Sequence, residues 1–346
     1  MRIALDALGG DFGIAPNVAG ALRAAKDFDY EIILVGDEAV IKAELAERAK
    51  YDVSKISIIH APRTIDMSAS PVREIAKYKK EVSIAVCADL VKQGKADAMI
   101  SAGHSGAAWI AAHFIIGEID GVDRPAIASP MPTRRGVAVL IDAGANTDCK
   151  AINLLQFAVM GTVFSKIAYD VENPVSGLLS IGEEEGKGNL LIKETAKYIR
   201  QLGINYYGNI EGRDVHSGMI DVIVCDGFVG NIALKLSEGL AKTMFGMIKD
   251  AAKKNPFALL GMLMAKPSLN KIKDKTDPDV YGGAPLLGVN GPVIICHGKS
   301  SAAAIYNSIK VAAKMAESKV VKVIGENISL LKPVFDKLEH SRETAE

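Results

Sequence analysis

The stretch IDVIVCDGFVGNIALKLSEG, at Ile220–Gly239, carries the pattern that decides the fold. Its first part, Ile220–Cys225, is a short run of β-branched and apolar residues, typical of a buried parallel strand. A turn with Gly227 and Gly230 follows, and helical spacing resumes at Asn231, a residue type favoured as an N-cap. A strand that ends in such a turn and opens a helix directs free N–H groups at one point, which favours an anion site. A tight strand–helix connection without a ligand fits the stretch equally well.

Four further stretches repeat this design of strand, polar glycine turn and helix. They are IALDALGGD at 3–11, DAMISAGHSGA at 97–107, VAVLIDAGAN at 137–146 and PVIICHGKSS at 292–301. Turns that follow parallel strands lie along one edge of an open α/β sheet, where ligands bind, so we expect the five turns to share one rim. The sequence therefore predicts a cleft lined by polar glycine turns.

Strand patterns and helical patterns alternate along most of the chain, which favours helices on both faces of one sheet. We predict an α/β fold with three α/β/α layers and a largely parallel, doubly wound sheet. A single catalytic domain is expected over 1–335, followed by a polar tail at 336–346. Nine strands are predicted, at 2–7, 31–35, 56–60, 98–101, 137–141, 176–181, 206–210, 221–225 and 293–296.

Length and composition narrow the functional classes. The 346 residues are enough for a substantial core, and 41 basic residues balance 41 acidic ones, so no charge excess points to nucleic acid as a partner. The four cysteines form no CxxC pair, and no signal-peptide pattern precedes the first strand. The most apolar run, near 107–117, is too short to span a bilayer. A reducing cytoplasm is the expected compartment.

The segment 249–275 is strongly basic in an otherwise neutral chain, and we expect it to protrude as a helix. It holds seven lysines and two aspartates around the apolar run PFALLGMLMA at 256–265. Such a run suits insertion into an anionic membrane interface or a partner's groove, and a buried helix at a subunit contact is the alternative. The residues predicted to contact a membrane or a carrier protein are Lys253, Lys254, Phe257, Leu260, Leu263, Met264 and Lys266.

Two charged turns also follow predicted strands. In GEEEGKGN at 182–189, three glutamates would repel a bound anion unless they pair with bases, bind cations or point away. Lys187 supplies a point charge and Asn189 a helix cap, and both suit an anion. In EGRD at 211–214, Arg213 has the fork geometry for a bidentate contact with phosphate. A solvated charged loop is the alternative for the first of these turns.

Standard catalytic motifs are missing from the sequence. HGKS at 297–300 does not complete the phosphate-loop pattern, because Gly291 lies seven positions before Gly298 instead of five. No GxGxxG follows a predicted strand, and neither a GxSxG nucleophile turn nor an HExxH zinc motif occurs. The six histidines show no metal-ligand spacing, so no metal is expected, and without a dinucleotide fingerprint no cofactor is expected either. His104 and His297 lie in glycine turns and are candidates for a role in the site.

Together these motifs resemble the bacterial phosphate acyltransferases of phospholipid synthesis, the PlsX family. The resemblance rests on ALDALGGD, SAGHSGAA, LIDAGAN, SIGEEEGKGN, GNIEGRDV and VCDGFVGNIALK, which span 4–235, and on HGKSSAAAI, which extends it to Ile305. The family's opening commonly reads DAMGGDH. Leu8 and Phe12 depart from that pattern, and the second change removes a polar group.

The resemblance implies a reaction in which long-chain acyl-acyl carrier protein and inorganic phosphate give acyl phosphate and free carrier protein. It also implies a fold related to isocitrate and isopropylmalate dehydrogenases and to phosphotransacetylase. It further implies a homodimer that associates peripherally with the inner face of the cell membrane. The product would feed a membrane glycerol-3-phosphate acyltransferase, a further candidate partner.

Such a reaction does not need a nucleophile from the protein, because phosphate itself attacks the thioester. Phosphate is already an anion at neutral pH, and a thiol with a pKa of about 8.5 is a good leaving group. Catalysis then depends on orienting phosphate and stabilising the tetrahedral oxyanion. We expect His104, Lys187 and Asn231 to be catalytic, with His104 polarising the thioester carbonyl. The predicted phosphate and substrate residues are Gly103, Ser105, Gly106, Asp142, Gly144, Asn146, Asn189, Arg213, Asp226, Gly227, Gly230, His297, Lys299 and Ser300.

Three other functions stay open at the level of sequence. The closest is a phosphate acetyl- or butyryltransferase acting on a coenzyme A thioester, although such an enzyme has no evident need for the lysine-flanked segment. The second is an oxidoreductase on the related dehydrogenase fold. The third is a membrane scaffold without catalysis.

Overall fold

The computed structural model describes residues 1–48, 54–66, 69–254 and 256–343, the side chains of residue 273 and of 339–343 excepted. Within this part of the chain one large sheet lies between helices, so the α/β class is confirmed. Its strands are β1 (Arg2–Asp6), β2 (Glu31–Gly36), β3 (Ile56–His60), β4 (Ala98–Ser101), β5 (Ala126–Pro132), β6 (Val137–Ile141), β7 (Val175–Leu179), β8 (Asn205–Ile210), β9 (Val222–Val224), β10 (Ala284–Leu287) and β11 (Val293–Ile295).

Helices cover both faces of the sheet. Along β1 the alternate residues Ile3 and Leu5 belong to one buried cluster, and Ala4 belongs to another. This alternation is what a strand with two covered faces requires. The helices are α1 (Ile14–Asp27), α2 (Glu38–Glu47), α3 (Pro71–Tyr78), α4 (Ser83–Lys92), α5 (Ser105–Ala111), α6 (Ala151–Tyr169), α7 (Leu190–Ile199), α8 (Gly227–Lys253), α9 (Pro256–Thr276), α10 (Pro278–Tyr281), α11 (Ala302–Glu317) and α12 (Val320–Glu343).

The sheet consists of two parallel halves that run in opposite directions. Its strand order is β3-β2-β1-β4-β11-β10-β5-β6-β9-β7-β8. The first five strands are parallel to one another, and so are the last four. Between the halves, β11, β10, β5 and β6 pair antiparallel in three successive steps. Because an odd number of reversals inverts the direction, the two halves end at opposite edges of the sheet.

The strands β5 and β10, which cause this inversion, are the two that the sequence pattern did not predict. β5 contains Pro130 and Pro132, and β10 contains Pro285. Proline has no N–H to donate to a ladder and usually marks a turn or a sheet edge, so both segments have the composition of connections. The nine predicted strands are confirmed, with ends that differ by at most two residues.

The helix α6 forms the centre of the core. It has 19 residues, and its most apolar window has a mean hydropathy of 1.4, which would suit a membrane span. It is longer than the apolar run near 107–117 that the sequence analysis singled out. However, 78% of that window is buried inside the protein. Gly161 lets the helix approach β9 closely, because a Cβ atom there would lie 2.6 Å from Val222. α6 is therefore a core helix.

The helices α8 and α9 pack against each other, and their residues 238–254 and 256–276 are here called the arm. α8 starts at the end of β9 and runs along the sheet as far as Ser237, whose Oγ lies 2.9 Å from Nε2 of His216. Nδ1 of His216 lies 2.8 Å from the carbonyl oxygen of Pro132, at the end of β5. Beyond that edge the arm exposes large apolar side chains, which are Leu240, Met244, Met247, Ile248, Phe257, Leu259, Leu260, Leu263, Met264 and Ile272.

The polar tail expected at 336–346 begins inside α12, which continues to Glu343. Phe335 and Leu338 are both buried on the same helix, so the predicted boundary at 335 is wrong. The physical reason is that an apolar stripe continues through polar-looking sequence at helical spacing. Residues 344–346 lie outside the described part of the chain.

Candidate active site

The glycine turns form two groups at opposite edges of the sheet. The N-half rim comprises the turns after β1, β4 and β11, at 9–11, 103–106 and 297–301. The C-half rim comprises the turns after β6, β7, β8 and β9, at 142–146, 182–189, 211–214 and 226–231. The prediction of one shared rim is therefore wrong, because β5 and β10 reverse the strand direction between the halves.

This division separates residues that were predicted to act together. β4, which precedes His104, and β7, which precedes Lys187, are six positions apart in the sheet. At about 4.8 Å per strand, roughly 29 Å separates them before the opposite edges are considered. Within one protomer His104 therefore does not share a site with Lys187 and Asn231, and the predicted catalytic trio is wrong as a unit.

The turn at 142–146 already holds an anion, which is the carboxylate of Asp142. This side chain is fully buried. It accepts hydrogen bonds of 2.6–3.1 Å from the amides of Ile127, Gly144, Ala145 and Asn146 and from Nδ2 of Asn146. Burial raises the pKa of the carboxyl, while these donors act in the opposite direction. The amides of Gly144 and Asn146 are thus occupied, and the prediction that they hold phosphate is wrong.

The start of α8 also differs from the sequence-based prediction. Oδ1 of Asp226 accepts a hydrogen bond from the amide of Val229 at 2.9 Å, so Asp226 is the N-cap. Asn231, predicted to cap the helix, instead lies one turn inside it and is exposed. Its side chain lies next to the neighbouring turn, because a Cβ atom built on Gly144 would be 3.3 Å from Cβ of Asn231. Asn231 is therefore free to face a ligand at the rim.

Two glycines at the start of α8 serve close packing. The amide of Gly227 donates to the carbonyl oxygen of Asn146 at 2.7 Å. A Cβ atom on Gly230 would lie 1.9 Å from the carbonyl oxygen of Asp142, closer than any real contact. Glycine at these positions joins the turns after β6 and β9 into one rigid junction, with no need for a ligand to explain it.

The charged turn at 182–189 is neutralised by two arginines. Glu183 lies 2.7 Å from Arg213, and Glu185 lies 2.6 Å from Arg200. Arg213 also lies 3.4 Å from Glu211. The pairing with bases that a nearby anion would require is thus present for two of the three glutamates. Arg213 is paired with carboxylates, and its role as a phosphate clamp stays a prediction.

The side chains left to meet a ligand at the C-half rim flank the end of β9. Lys187 is exposed in the turn after β7, and Asn231 lies beside the turn after β6. Both strands neighbour β9, so the two turns are about 10 Å apart in the sheet, a gap that an extended lysine and an oxyanion can span. Asn189 caps α7, as predicted, by accepting from the amide of Ile192 at 3.0 Å.

The turns of the N-half rim also pack closely against one another. A Cβ atom on Gly9 would lie 2.6 Å from the amide nitrogen of Gly103, so the turns after β1 and β4 touch through their backbones. The amide of Asp11 donates to the carbonyl oxygen of Gly298 at 2.6 Å, which joins the turn after β11. The amide of Gly103 is itself occupied, since it donates to Oγ of Ser101 at 3.1 Å.

The two imidazoles of the N-half rim accept backbone hydrogen bonds. Nδ1 of His104 accepts from the amide of Ala107 at 3.3 Å, and Nδ1 of His297 accepts from the amide of Lys299 at 3.2 Å. In the neutral ring this fixes the proton on Nε2. The remaining predicted residues of this rim are Ser105 and Lys299, both exposed, Gly106, half-buried, and Ser300, buried. Ser301 caps α11.

A thiol near the C-half rim has the wrong ionisation for a nucleophile. Sγ of Cys149 lies 3.5 Å from the carbonyl oxygen of Asn146. Burial raises the pKa of this thiol to about 12, and the charges of Asp142 and Asp226 add to the effect. Because the thiolate is the reactive form, this raised pKa disfavours Cys149 as a nucleophile.

Two polar residues beneath the turn at 182–189 were missed by sequence reasoning. Asn209, only 4% exposed, donates from Nδ2 to the carbonyl oxygen of Glu184 at 3.1 Å. Ser180, at the end of β7, places Oγ 2.9 Å from where a Cβ atom on Gly188 would lie. The available signal was Asn209, a polar residue within a predicted strand that ends at a turn already singled out.

Comparison with known proteins places this geometry in a family. Residues 1–323 match the family model FA_synthesis, described as fatty acid synthesis protein. A phosphate acyltransferase of Elusimicrobium minutum (strain Pei191) is 54% identical over 98% of this chain and 99% of its own length. A phosphate acyltransferase of Pelotomaculum thermopropionicum is 47% identical over 95% of both chains.

A solved structure shares the fold. A phosphotransacetylase from Streptococcus pyogenes superposes with a TM-score of 0.62, covering 92% of this chain and 94% of its own. At 20% sequence identity this likeness concerns the fold alone. The large mixed sheet with flanking helices is therefore an architecture already observed in solved proteins.

Proposed function

This chain belongs to the fatty acid synthesis protein family and is a phosphate acyltransferase, and we propose that it moves a long-chain acyl group from acyl-acyl carrier protein to inorganic phosphate. The acyl phosphate formed serves phospholipid synthesis. We further propose that the transfer takes place at the C-half rim, with Lys187 and Asn231 as the catalytic residues. The expected role of His104 in polarising the thioester is withdrawn.

The observation that supports this assignment is that Lys187 and Asn231 are both exposed, one in the turn after β7 and the other beside the turn after β6, and that both of these strands neighbour β9. Their two turns flank the start of α8, a helix of 27 residues whose dipole favours negative charge at this end. Two of the three glutamates in the turn that carries Lys187 are paired, Glu183 with Arg213 and Glu185 with Arg200. A phosphate between Lys187 and Asn231 would therefore meet a cation and an amide donor without a competing free carboxylate from Glu183.

The chemistry proceeds by direct attack. An oxygen of phosphate bonds to the thioester carbonyl carbon, and the carbonyl oxygen becomes an oxyanion. Collapse of this intermediate breaks the carbon–sulfur bond and releases the carrier thiolate, which takes a proton from solvent. Each donor well placed on the oxyanion or on phosphate contributes about 3–4 kcal/mol to the transition state. Lys187 and the side-chain amide of Asn231 are the donors assigned to these roles.

The direct test compares two donors in one assay. Purified protein is given palmitoyl-acyl carrier protein or palmitoyl-coenzyme A with phosphate, and thiol release and hydroxylamine-sensitive acyl phosphate are followed. We expect phosphate-dependent turnover of the carrier protein thioester. Preference for short acyl-coenzyme A would support a phosphate acetyl- or butyryltransferase, and no phosphate-dependent cleavage of either donor would contradict the proposal.

The proposal extends to partners and location. We propose that the protein is cytoplasmic, forms a homodimer, and associates peripherally with the anionic inner face of the cell membrane. It would pass its product to a membrane glycerol-3-phosphate acyltransferase. Support comes from the arm, where Phe257, Leu260 and Met264 are exposed between the lysines at 253–254 and Lys266. We also propose that the fold is related to those of isocitrate and isopropylmalate dehydrogenases.

A further inference from the structure

The turn that carries Lys187 is attached to the body of the protein at three points. Glu183 pairs with Arg213, and Glu185 pairs with Arg200. Between them the carbonyl oxygen of Glu184 accepts a hydrogen bond from Nδ2 of Asn209 at 3.1 Å. The third attachment is linked directly to Lys187, because the same carbonyl oxygen also accepts a hydrogen bond from the amide of Lys187 at 2.9 Å.

These attachments differ in strength. Arg213 and Arg200 are well exposed, with 69% and 56% of their side chains accessible, and exposed ion pairs contribute little because water screens them. Asn209 is nearly fully buried. A buried hydrogen bond counts for more, because its loss leaves two polar groups without partners and without water. Asn209 is therefore the attachment on which the position of Lys187 chiefly depends.

The space beneath the turn holds unused polar atoms. In the described part of the chain, Oδ1 of Asn209 and Oγ of Ser180 are buried without a hydrogen-bond partner. The register pairs Leu178 with Asn209, so Asn209 and Ser180 share one face of adjacent strands. Gly188 closes directly over Ser180, since a Cβ atom there would lie within 2.9 Å of its Oγ. Buried polar atoms without a partner are uncommon, and each calls for an explanation.

We propose that Asn209 is a positioning residue for phosphate, acting through the carbonyl oxygen of Glu184 to hold Lys187 at the C-half rim. This inference rests on the proposed function of Lys187. The orientation of the Asn209 amide is set by its partner, because a carbonyl oxygen can face only the N–H₂ side. Replacing that N–H₂ by a carboxylate oxygen would turn attraction into repulsion.

The test uses Asn209→Asp, a substitution of nearly equal size with a built-in pH signal. A carboxyl at this buried position has a raised pKa, and its protonated form can donate to Glu184 as the asparagine does. We expect kcat/KM for phosphate, relative to wild type at each pH, to fall about 30-fold at pH 8.5 and to recover to within about threefold at pH 6. The KM for the acyl donor should stay unchanged at both pH values. The matched control is Asn205→Asp, an exposed asparagine on the same strand, which should show no pH-dependent ratio.

A double-mutant cycle with Lys187→Ala separates positioning from a general structural defect. If Asn209 acts through Lys187, Asn209→Asp causes no further loss in the Lys187→Ala background at pH 8.5. Additive losses, a ratio that does not change with pH, or equal behaviour of Asn205→Asp would overturn the inference. Normal phosphate kinetics in Lys187→Ala alone would instead remove the proposed site itself, so the two failures are distinguishable.

Discussion

The two rims are built from the same strand–turn–helix unit and differ in what occupies the turn. In the C-half rim the carboxylate of Asp142 takes the amides that a phosphate would need. In the N-half rim backbone packs on backbone at Gly9 and Gly103, and His104 takes the amide of Ala107. The comparison teaches that glycine in such a turn indicates close packing at least as often as a ligand. A turn that binds a ligand is distinguished from a turn that only packs against its neighbour by polar side chains that have no partner within the protein.

The largest expected effect tests the junction of the C-half rim. Gly230→Ala places a methyl group 1.9 Å from the carbonyl oxygen of Asp142, so the turns after β6 and β9 must separate. We expect a loss of more than about 3 kcal/mol in unfolding free energy, measured by urea denaturation.

The control for this change lies in the same helix. A Cβ atom on Gly239 meets nothing within 4 Å. Gly239→Ala should therefore stabilise the protein by about 0.5–1 kcal/mol, because alanine loses less backbone entropy in a helix. Equal effects of the two substitutions would show that the junction is not what glycine at 230 serves.

The next effect separates the rims by activity. Lys187→Ala should lower kcat/KM for phosphate about 100-fold, close to the loss of one oxyanion donor. Lys299→Ala removes an equally exposed lysine from the N-half rim and should stay within about threefold of wild type, since distant surface charges act weakly through screened solvent. Steady-state assays at fixed ionic strength check both. A larger loss in Lys299→Ala than in Lys187→Ala would reverse the assignment of the active rim.

A smaller effect tests the edge from which the arm projects. Leu260→Glu puts a charge on an apolar helix face that is 58% exposed. Flotation with anionic vesicles should fall about tenfold, while soluble turnover is unchanged, because the arm lies at the opposite edge from Lys187. Leu330→Glu changes a leucine that is 78% exposed on α12 and should float as wild type does. Unchanged flotation of Leu260→Glu would remove the arm from membrane binding.

The smallest effect concerns His104. His104→Ala removes a helix cap, so we expect a loss of about 1 kcal/mol in stability and turnover within about threefold of wild type. Thermal melting and the thiol-release assay measure the two. If turnover is abolished in a folded variant, the N-half rim belongs to the active site, and the distinction between the rims fails.

More of the fold than of the candidate site could be predicted from the sequence. The nine strands with alternating or continuous apolar patterns were predicted because their local composition and tertiary role agree. β5 and β10 were missed because Pro130, Pro132 and Pro285 give them the local signature of turns. These two omissions turned a local error into a global one, since the direction of half the sheet depends on both strands.

At the candidate site the residue types were recognised and their partners were not. Nothing local to Asp142 indicates that its own carboxylate fills the turn, because Ile127 comes from a different strand. Likewise the contact of Arg213 with Glu183 joins two turns 30 residues apart. Lys187 and Asn231 were singled out from sequence because each follows a predicted strand, and their catalytic role stays a prediction. Asn209 required the three-dimensional register of β8 on β7.

The uninterrupted course of α8 has a mechanical consequence. Its 27 residues make a rod roughly 40 Å long, which is anchored at Gly230, contacts His216 through Ser237 and packs against α9 in its far part. A tilt of one degree about the anchor moves the tip by about 0.7 Å over that length. A partner that binds the tip and tilts α8 would therefore move the tip far more than it moves Asn231, which follows Gly230.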